Sequence, residues 1–304
     1  MELINHHMHT LASDGKHTPL EMAEEALKRG LNFICFTDHN HRIYAVPFSK
    51  PLSESHLNEI KEAQKKFKGK LDISLGIEID WTEEHQEIFK KQISEHNFDF
   101  ILGSVHLLND GTEYFGVNYA PEVFSEKVKK LGIKKIVHEY YHQVRLLAKS
   151  KLFDCLAHFD LIKNFNVDSS FFDEQDNFYR EEVLKTLDEI KKNNLCIEIN
   201  TSGIIYRCKA MFPSFWILEE AHKRNIPITI GADAHWKERI DAGLLEAYDL
   251  ARKAGYKEIL KFKNRKAIKV KFAKTDFPRK LQTSHKENFE NSSKKTGIIQ
   301  NSLK

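Results

Sequence analysis

Little in this sequence argues for a disulfide scaffold, a zinc ribbon, a membrane span or a nucleic-acid surface. Four cysteines occur in 304 residues, Cys35, Cys155, Cys196 and Cys208. They are widely spaced, without the close pairs of a zinc ribbon or the density of a disulfide-stapled domain. Three of them lie in or beside apolar runs and read as small buried hydrophobes. No apolar stretch approaches the roughly 20 residues that a membrane-spanning helix needs. A formal net charge of +3 is too small for a nucleic-acid surface, and the lysines alternate with acids on helical segments as on a solvated face. The first residues, MELINHHMHT, have neither the basic nor the apolar region of a secretory signal, which makes the cytoplasm the default expectation.

What is present is an ordinary soluble balance, 41% hydrophobic and 30% charged, on a chain long enough for one large core. Seven short apolar runs recur at intervals that hold a helix between them: Glu2–Asn5, Asn32–Phe36, Asp72–Ile79, Asp99–Leu102, Phe153–Ala157, Cys196–Ile199 and Ile226–Ile230. Most are nearly continuous in apolar residues, as parallel strands covered on both faces are, so the expected fold is an α/β barrel in a single domain. The clearest helix comes after the first run. Thr18 is its N-cap, Pro19 its first residue and Glu21 the capping-box partner, with Leu20, Ala23 and Leu27 as the apolar face and Gly30 as the left-handed stop. Further helices are expected at Glu54–Phe67, Ala120–Lys130, Ile133–Lys149, Glu181–Asn193, Pro213–Arg224 and Gly243–Ala254. The barrel is expected over residues 1–274; residues 275–304, rich in Lys, Asn and Ser without periodicity, read as a polar flexible tail.

The chemistry is concentrated directly after these runs. The first leads into His7 and His9, the second into Asp38 and His39, the third into Glu78 and Asp80; later come His106, His158 with Asp160, and Asp233 with His235. In a parallel barrel all strand carboxyl ends open on one face, where active sites are built. A single His-x-His is more often a pair of satisfied histidines than a site. Repetition at five strand ends is hard to explain as core filling. Imidazole and carboxylate are ligands for zinc, manganese or iron, and their number exceeds what one ion takes, which implies two or three metals. Asp14, in the Ser13-Asp14-Gly15 turn, joins the candidates by its place beside the first histidines. His17, His56, His85 and His96 belong to helices or loops and are expected to face solvent, whereas His41 lies near the mouth.

The pieces NHHMHT, SDGKHT, FTDHN, GIEID, GSVHLL, AHFDLIK, EINTSG and GADAH, in this order, resemble the polymerase and histidinol phosphatase (PHP) family, over residues 1–274. The resemblance implies a distorted (β/α)7 TIM-like barrel with a trinuclear site. Carried over by position, it implies that His7, His9, Glu78 and Asp233 hold one ion, Glu78, His106 and His158 a second, and Asp14, His39 and His235 a third. The Tyr140-Tyr141 helix and the NTSG turn at 200–203 look like those of the monofunctional histidinol-phosphatases, and no polymerase region accompanies the barrel. Relatives tend to carry a basic residue two positions after the glycine of NTSG, where this chain has Ile205; Arg207 and Lys209 come next and are the candidate phosphate contacts, with His41 a further candidate at the substrate.

The expected activity is therefore hydrolysis of a small phosphate monoester, histidinol phosphate, by a hydroxide that the ions activate for in-line attack on phosphorus. Glu78 is the candidate bridging carboxylate, and Asp160 and His235 are the candidate proton donors to the leaving alkoxide. The alternative is a family phosphoesterase acting on another small monoester or on nucleic-acid ends.

Overall fold

A computed structural model describes residues 2–39 and 52–271. His41, most of the 43–53 loop and the expected tail at 275–304 lie outside the described residues. In chain order the elements are β1 (Ile4–Asn5), α1 (Pro19–Lys28), β2 (Phe33–Phe36), α2 (Glu54–Lys66), β3 (Asp72–Asp80), α3 (Gln86–Ser94), β4 (Phe100–Ser104), β5 (Leu107–Asn109), β6 (Tyr114–Gly116), α4 (Pro121–Leu131), α5 (Ile133–Ser150), β7 (Cys155–Leu156), α6 (Asn177–Lys192), β8 (Cys196–Asn200), α7 (Phe215–Lys223), β9 (Ile228–Gly231), α8 (Leu244–Lys253), β10 (Glu258–Lys263) and β11 (Lys266–Lys271).

Seven strands form one parallel sheet in the order β1-β2-β3-β4-β7-β8-β9. The chain then returns to its beginning: His6 N donates to the Ile230 carbonyl and His9 N to that of Ala234, each at 3.0 Å, and Met8 bridges Ala234 in parallel. This nearly closed, distorted seven-stranded barrel is the expected fold. Each of the seven apolar runs overlaps its strand, with β3, β4, β8 and β9 running one or two residues further, because β2, β4, β8 and β9 are buried along their whole length, and only a strand covered on both faces is apolar without alternation. In α1 the Thr18–Glu21 capping box forms as expected; its fully buried face is Met22, Ala23 and Ala26, with Leu20 and Leu27 partly buried at the margin. Among the described residues, no helix is long and apolar enough to cross a membrane.

Three features depart from expectation. Helix α6 starts at Asn177, ahead of the expected Glu181, and α3 gives little sequence signal because it buries only Phe89. The β10–β11 hairpin is the third. Its second strand, KAIKVK, buries only Val270, so it carries almost no pattern of its own and is held by what the first strand touches. Ile259 and Phe262 enter the core, and the basic residues reach the acids at the amino ends of the barrel strands: Lys261 to Glu2 (3.2 Å) and Asp72 (3.6 Å), Lys263 to Asp99 (3.1 Å), and Arg265 to Asp154 (3.0 Å). The hairpin thereby caps the amino end of the barrel.

Candidate metal centre

At the opposite end, ligand-type atoms from six strand ends and one loop converge. His7 Nε2 and His9 Nε2 stand 3.1 Å apart, and Glu78 Oε2 lies 3.1 and 3.4 Å from them. Asp233 Oδ1 completes this set at 3.6 and 3.2 Å. On the other side of the same carboxylate, Glu78 Oε1 is 3.4 Å from His158 Nε2 and 4.0 Å from His106 Nε2. A further group joins His9, Asp14, His39 and His235, with Asp14 Oδ1 3.2 Å from His235 Nε2 and Asp14 Oδ2 3.7 Å from His39 Nε2. The nine residues expected as ligands thus all fall in groups whose atoms lie within 4.8 Å of one another, and Glu78 belongs to two of them.

The donor set fits divalent cations on its own chemistry. It contains only imidazoles and carboxylates, and Glu78 Oε1 and both ring nitrogens of His158 are buried without a hydrogen-bond partner, which a protein avoids unless something else occupies the space. Burial penalises a charge on His7, but Glu198, Asp233 and Glu78 outweigh it and hold its pKa well above the ordinary value. Burial likewise opposes the charged form of Glu78, yet His39 and His7 draw its pKa well below the usual carboxylate range. At His235 burial is again overcome, and Asp14 and Asp233 push its pKa up to about 9. These shifts share one origin: imidazoles and carboxylates packed together, with no Lys or Arg paired to them among the described residues, each favour the charged form of the other and attract positive charge to the carboxylates, whether proton or metal.

Several residues aim the ligands. The Nδ1–H of His7 donates to Glu198 Oε1 (2.9 Å), turning Nε2 into the pocket. Glu198 Oε2 accepts the backbone N–H of His158 (3.1 Å) and the side chain of Asn200 (2.9 Å). A Cβ at Gly231 would sit 2.0 Å from Glu198 Oε1 and 2.5 Å from His7 Cβ, so only glycine leaves room for this pairing. His106 Nδ1–H donates to Asp80 (2.6 Å), and that of His235 to the Asp233 carbonyl (3.0 Å). Tyr140 donates its hydroxyl to the Phe159 carbonyl (3.2 Å) and accepts from Leu161 N, fixing the turn after His158. His158 and Asp233 both adopt positive φ, 23° and 51°, a strained backbone typical of residues held for function.

Sequence reasoning does not single out Glu198 as an orienting group, although the signal is present. An acid interrupts an apolar strand in Ile197-Glu198-Ile199-Asn200 just as in Ile77-Glu78-Ile79-Asp80. Asp38 is also more than a neighbour of His39: it accepts from Thr10 N (2.7 Å), Ser13 Oγ (2.6 Å) and Thr10 Oγ1 (2.8 Å), pinning the loop that carries Asp14. His56, expected in solvent, is buried and meets Asp38 at 3.2 Å, because α2 packs over that loop. Of the other candidates, Asp160 is fully buried outside the four groups, with Oδ2 on Lys163 Nζ (2.8 Å) and Ser214 N (3.0 Å). Arg207 and Lys209 are exposed.

A parallel α/β barrel whose strand carboxyl ends share a pocket of histidines and carboxylates defines a metal-dependent hydrolytic enzyme. Residues 5–202 match the model of the PHP domain. The chain belongs to the PHP family. It is 30% identical over 269 residues to the "Probable histidinol-phosphatase" of Deinococcus radiodurans, covering 87% of this chain and 98% of that one. It is 28% identical to the histidinol-phosphatase of Bacillus subtilis, covering 75% and 92%. In fold it is similar to a Lactococcus lactis histidinol phosphate phosphatase solved with zinc, L-histidinol and phosphate, with a TM-score of 0.74, 24% identity, and 88% and 99% of the two chains covered.

Proposed function

We propose that this chain is a histidinol-phosphatase, hydrolysing L-histidinol phosphate to L-histidinol and phosphate with two to three divalent ions, zinc, manganese or iron. The ligands are His7, His9, Asp14, His39, Glu78, His106, His158, Asp233 and His235. The observation that carries the reading is the position of Glu78, whose two oxygens face separate imidazole groups, His7 and His9 on one side and His158 on the other. The relatives that bear this name match nearly their whole length, which supports the substrate class.

Bound there, divalent ions would supply Lewis-acid charge to the phosphate oxygens and lower the pKa of a coordinated water. The chain's own residues set the geometry. Glu78 spans two groups and spaces the positive charge; Glu198 and Asp80 hold His7 and His106 with their Nε2 atoms inward. The leaving alkoxide requires a proton. His235 is assigned to deliver it when the Asp14 group holds no ion, since its Nε2 faces Asp14 at the mouth of the site; with that group filled it becomes a ligand. Asp160, engaged with Lys163 and Ser214, then serves to hold the turn beyond His158.

The test compares phosphate release from histidinol phosphate, other monoesters and a single-stranded oligonucleotide, before and after chelation. Histidinol phosphate should be preferred, with activity lost on chelation. A preference for the oligonucleotide, or activity surviving complete metal removal, would overturn the proposal.

A further inference from the structure

We propose that Arg239, on the turn just after His235, is the guanidinium that binds the substrate's phosphate. The inference rests on the phosphomonoesterase reading above and moves the phosphate contact away from Arg207 and Lys209. The short helical turn Lys237–Arg239 is closed by Arg239 N donating to the Trp236 carbonyl at 2.9 Å. It brings the guanidinium 5.3 Å over the indole of Trp236, whose ring lies 6.2 Å from that of His235. His235 in turn meets Asp14. The cation is therefore held on an aromatic face one turn beyond the metal-ligand strand end, and among the described residues nothing takes its N–H fork.

The charge is compensated only in part, by electrostatic interaction with Glu238. Arg239 is half-buried, and among the described residues no carboxylate pairs with it. Neighbouring Glu238 is turned to His17 Nε2 (3.6 Å). Among the described residues, other basic groups near the rim differ: Lys163 is engaged by Asp160, Met211 and Ser214, Lys237 reaches Glu21 at 3.9 Å, and Lys16, Arg207 and Lys209 are exposed. Taking a guanidinium partly out of water without an anion is unfavourable, and burial indeed lowers the pKa of Arg239. Tyr206 lies within the electrostatic reach of Arg239 and of the acids Asp233, Asp14 and Glu78, and the hydroxyl of Ser202, on the same turn as Tyr206, donates to Asp233 Oδ2 at 3.2 Å. A phosphate dianion beside the ions would meet a planar donor fork suited to two of its oxygens.

The experiment uses the metal-loaded full chain and its Arg239→Ala, Arg239→Lys, Arg207→Ala and Lys209→Ala variants. It reads KM and kcat for histidinol phosphate, the inhibition constant and calorimetric Kd of inorganic phosphate, metal content and the melting temperature. Arg239→Ala should weaken phosphate binding and raise KM by about 10–100-fold with metal content retained, and Arg239→Lys should recover part of the loss. If Arg239→Ala leaves the Kd of phosphate within twofold, or Arg207→Ala or Lys209→Ala weakens it more, the proposal falls. Should Arg239→Ala fold poorly, the lysine variant decides alone, since loss of the fork at constant charge must still weaken phosphate binding. A wild-type protein that binds phosphate through Arg239 but hydrolyses no phosphomonoester would refute the functional reading and leave this one standing.

Discussion

The two ends of the barrel carry the same kinds of charge and treat them in opposite ways. At the amino end, Glu2, Asp72, Asp99 and Asp154 are matched by Lys261, Lys263 and Arg265 of the β10–β11 hairpin. At the carboxyl end, Asp14, Glu78 and Asp233 pair with imidazoles and, among the described residues, with no Lys or Arg. Charge neutralised from within the chain is structure; charge that awaits a cation from outside is function. Two adjacent residues state the contrast. His6 lies among Phe33, Phe100 and Phe262 and is held neutral, its pKa lowered to about 3 by burial and by Lys261. His7, one residue later, is held well above its ordinary pKa by three carboxylates that outweigh burial.

The largest expected effect comes from breaking the carboxyl end at its centre. Glu78→Ala should lower phosphatase activity by at least about a thousandfold and reduce bound metal, while the circular-dichroism melt of the metal-free protein shows no loss of the fold. A variant that keeps its metal and activity would show that the shared carboxylate is not the organising ligand. Next in size is Glu198→Gln, which keeps the volume that Gly231 accommodates but weakens the acceptor that orients His7. Metal affinity should fall about 10–100-fold, read by competition with a chelating dye. Unchanged affinity would reduce Glu198 to a packing group.

The same contrast explains how much of the molecule is legible in its sequence. The seven strands can be read because burial on both faces makes them apolar throughout, and the ligands because histidines and acids recur directly after those runs. Glu198, set within its strand just as Glu78 is, escapes because nothing near it in the sequence shows that it turns His7, and Asp80 can be noted without its task of aiming His106. The hairpin is invisible because its stability is tertiary: Lys263 and Arg265 acquire meaning only beside Asp99 and Asp154, which are more than a hundred residues away in the chain. Nothing local distinguishes Arg239 from the exposed Arg207; half-burial without an ion pair among the described residues does.

At the amino end the expected effects are on stability alone. Asp99 accepts from Leu75 N, Asn264 N and Lys263 Nζ at 3.1, 2.9 and 3.1 Å, so Asp99→Ala takes the carboxylate from two backbone donors and leaves Lys263 only the Ile73 carbonyl and Ser74 Oγ. It should cost about 2–4 kcal/mol in urea unfolding, with KM, kcat and metal content unchanged in the protein that remains folded. A loss of metal affinity would mean that the two ends are coupled and that the division drawn here is wrong.

The smallest effect, and the sharpest test of the division, is on pH. In the fold, His6 Nε2 accepts from Phe262 N (3.2 Å) and Nδ1 faces Thr229 Oγ1 (2.9 Å), whose own proton goes to the Leu260 carbonyl. The ring is thus the neutral Nδ1–H tautomer and has no room for a second proton. Its pKa is about 3 folded against 6.5 unfolded, so between these values the unfolded chain binds a proton that the folded one refuses. The stability His6 contributes is complete above pH 6.5 and drains away as pH falls toward 3. Replacing it by Gln removes that proton. In metal-free protein, the stability difference between wild type and His6→Gln, from urea unfolding between about pH 7 and 4.5, should shift against the wild type on acidification by about 2–3 kcal/mol. His7 and the carboxylates titrate in both proteins and cancel in the difference. A difference that stays constant across this range would place His6 in contact with water, and the amino end would no longer be the closed, neutral counterpart of the metal centre.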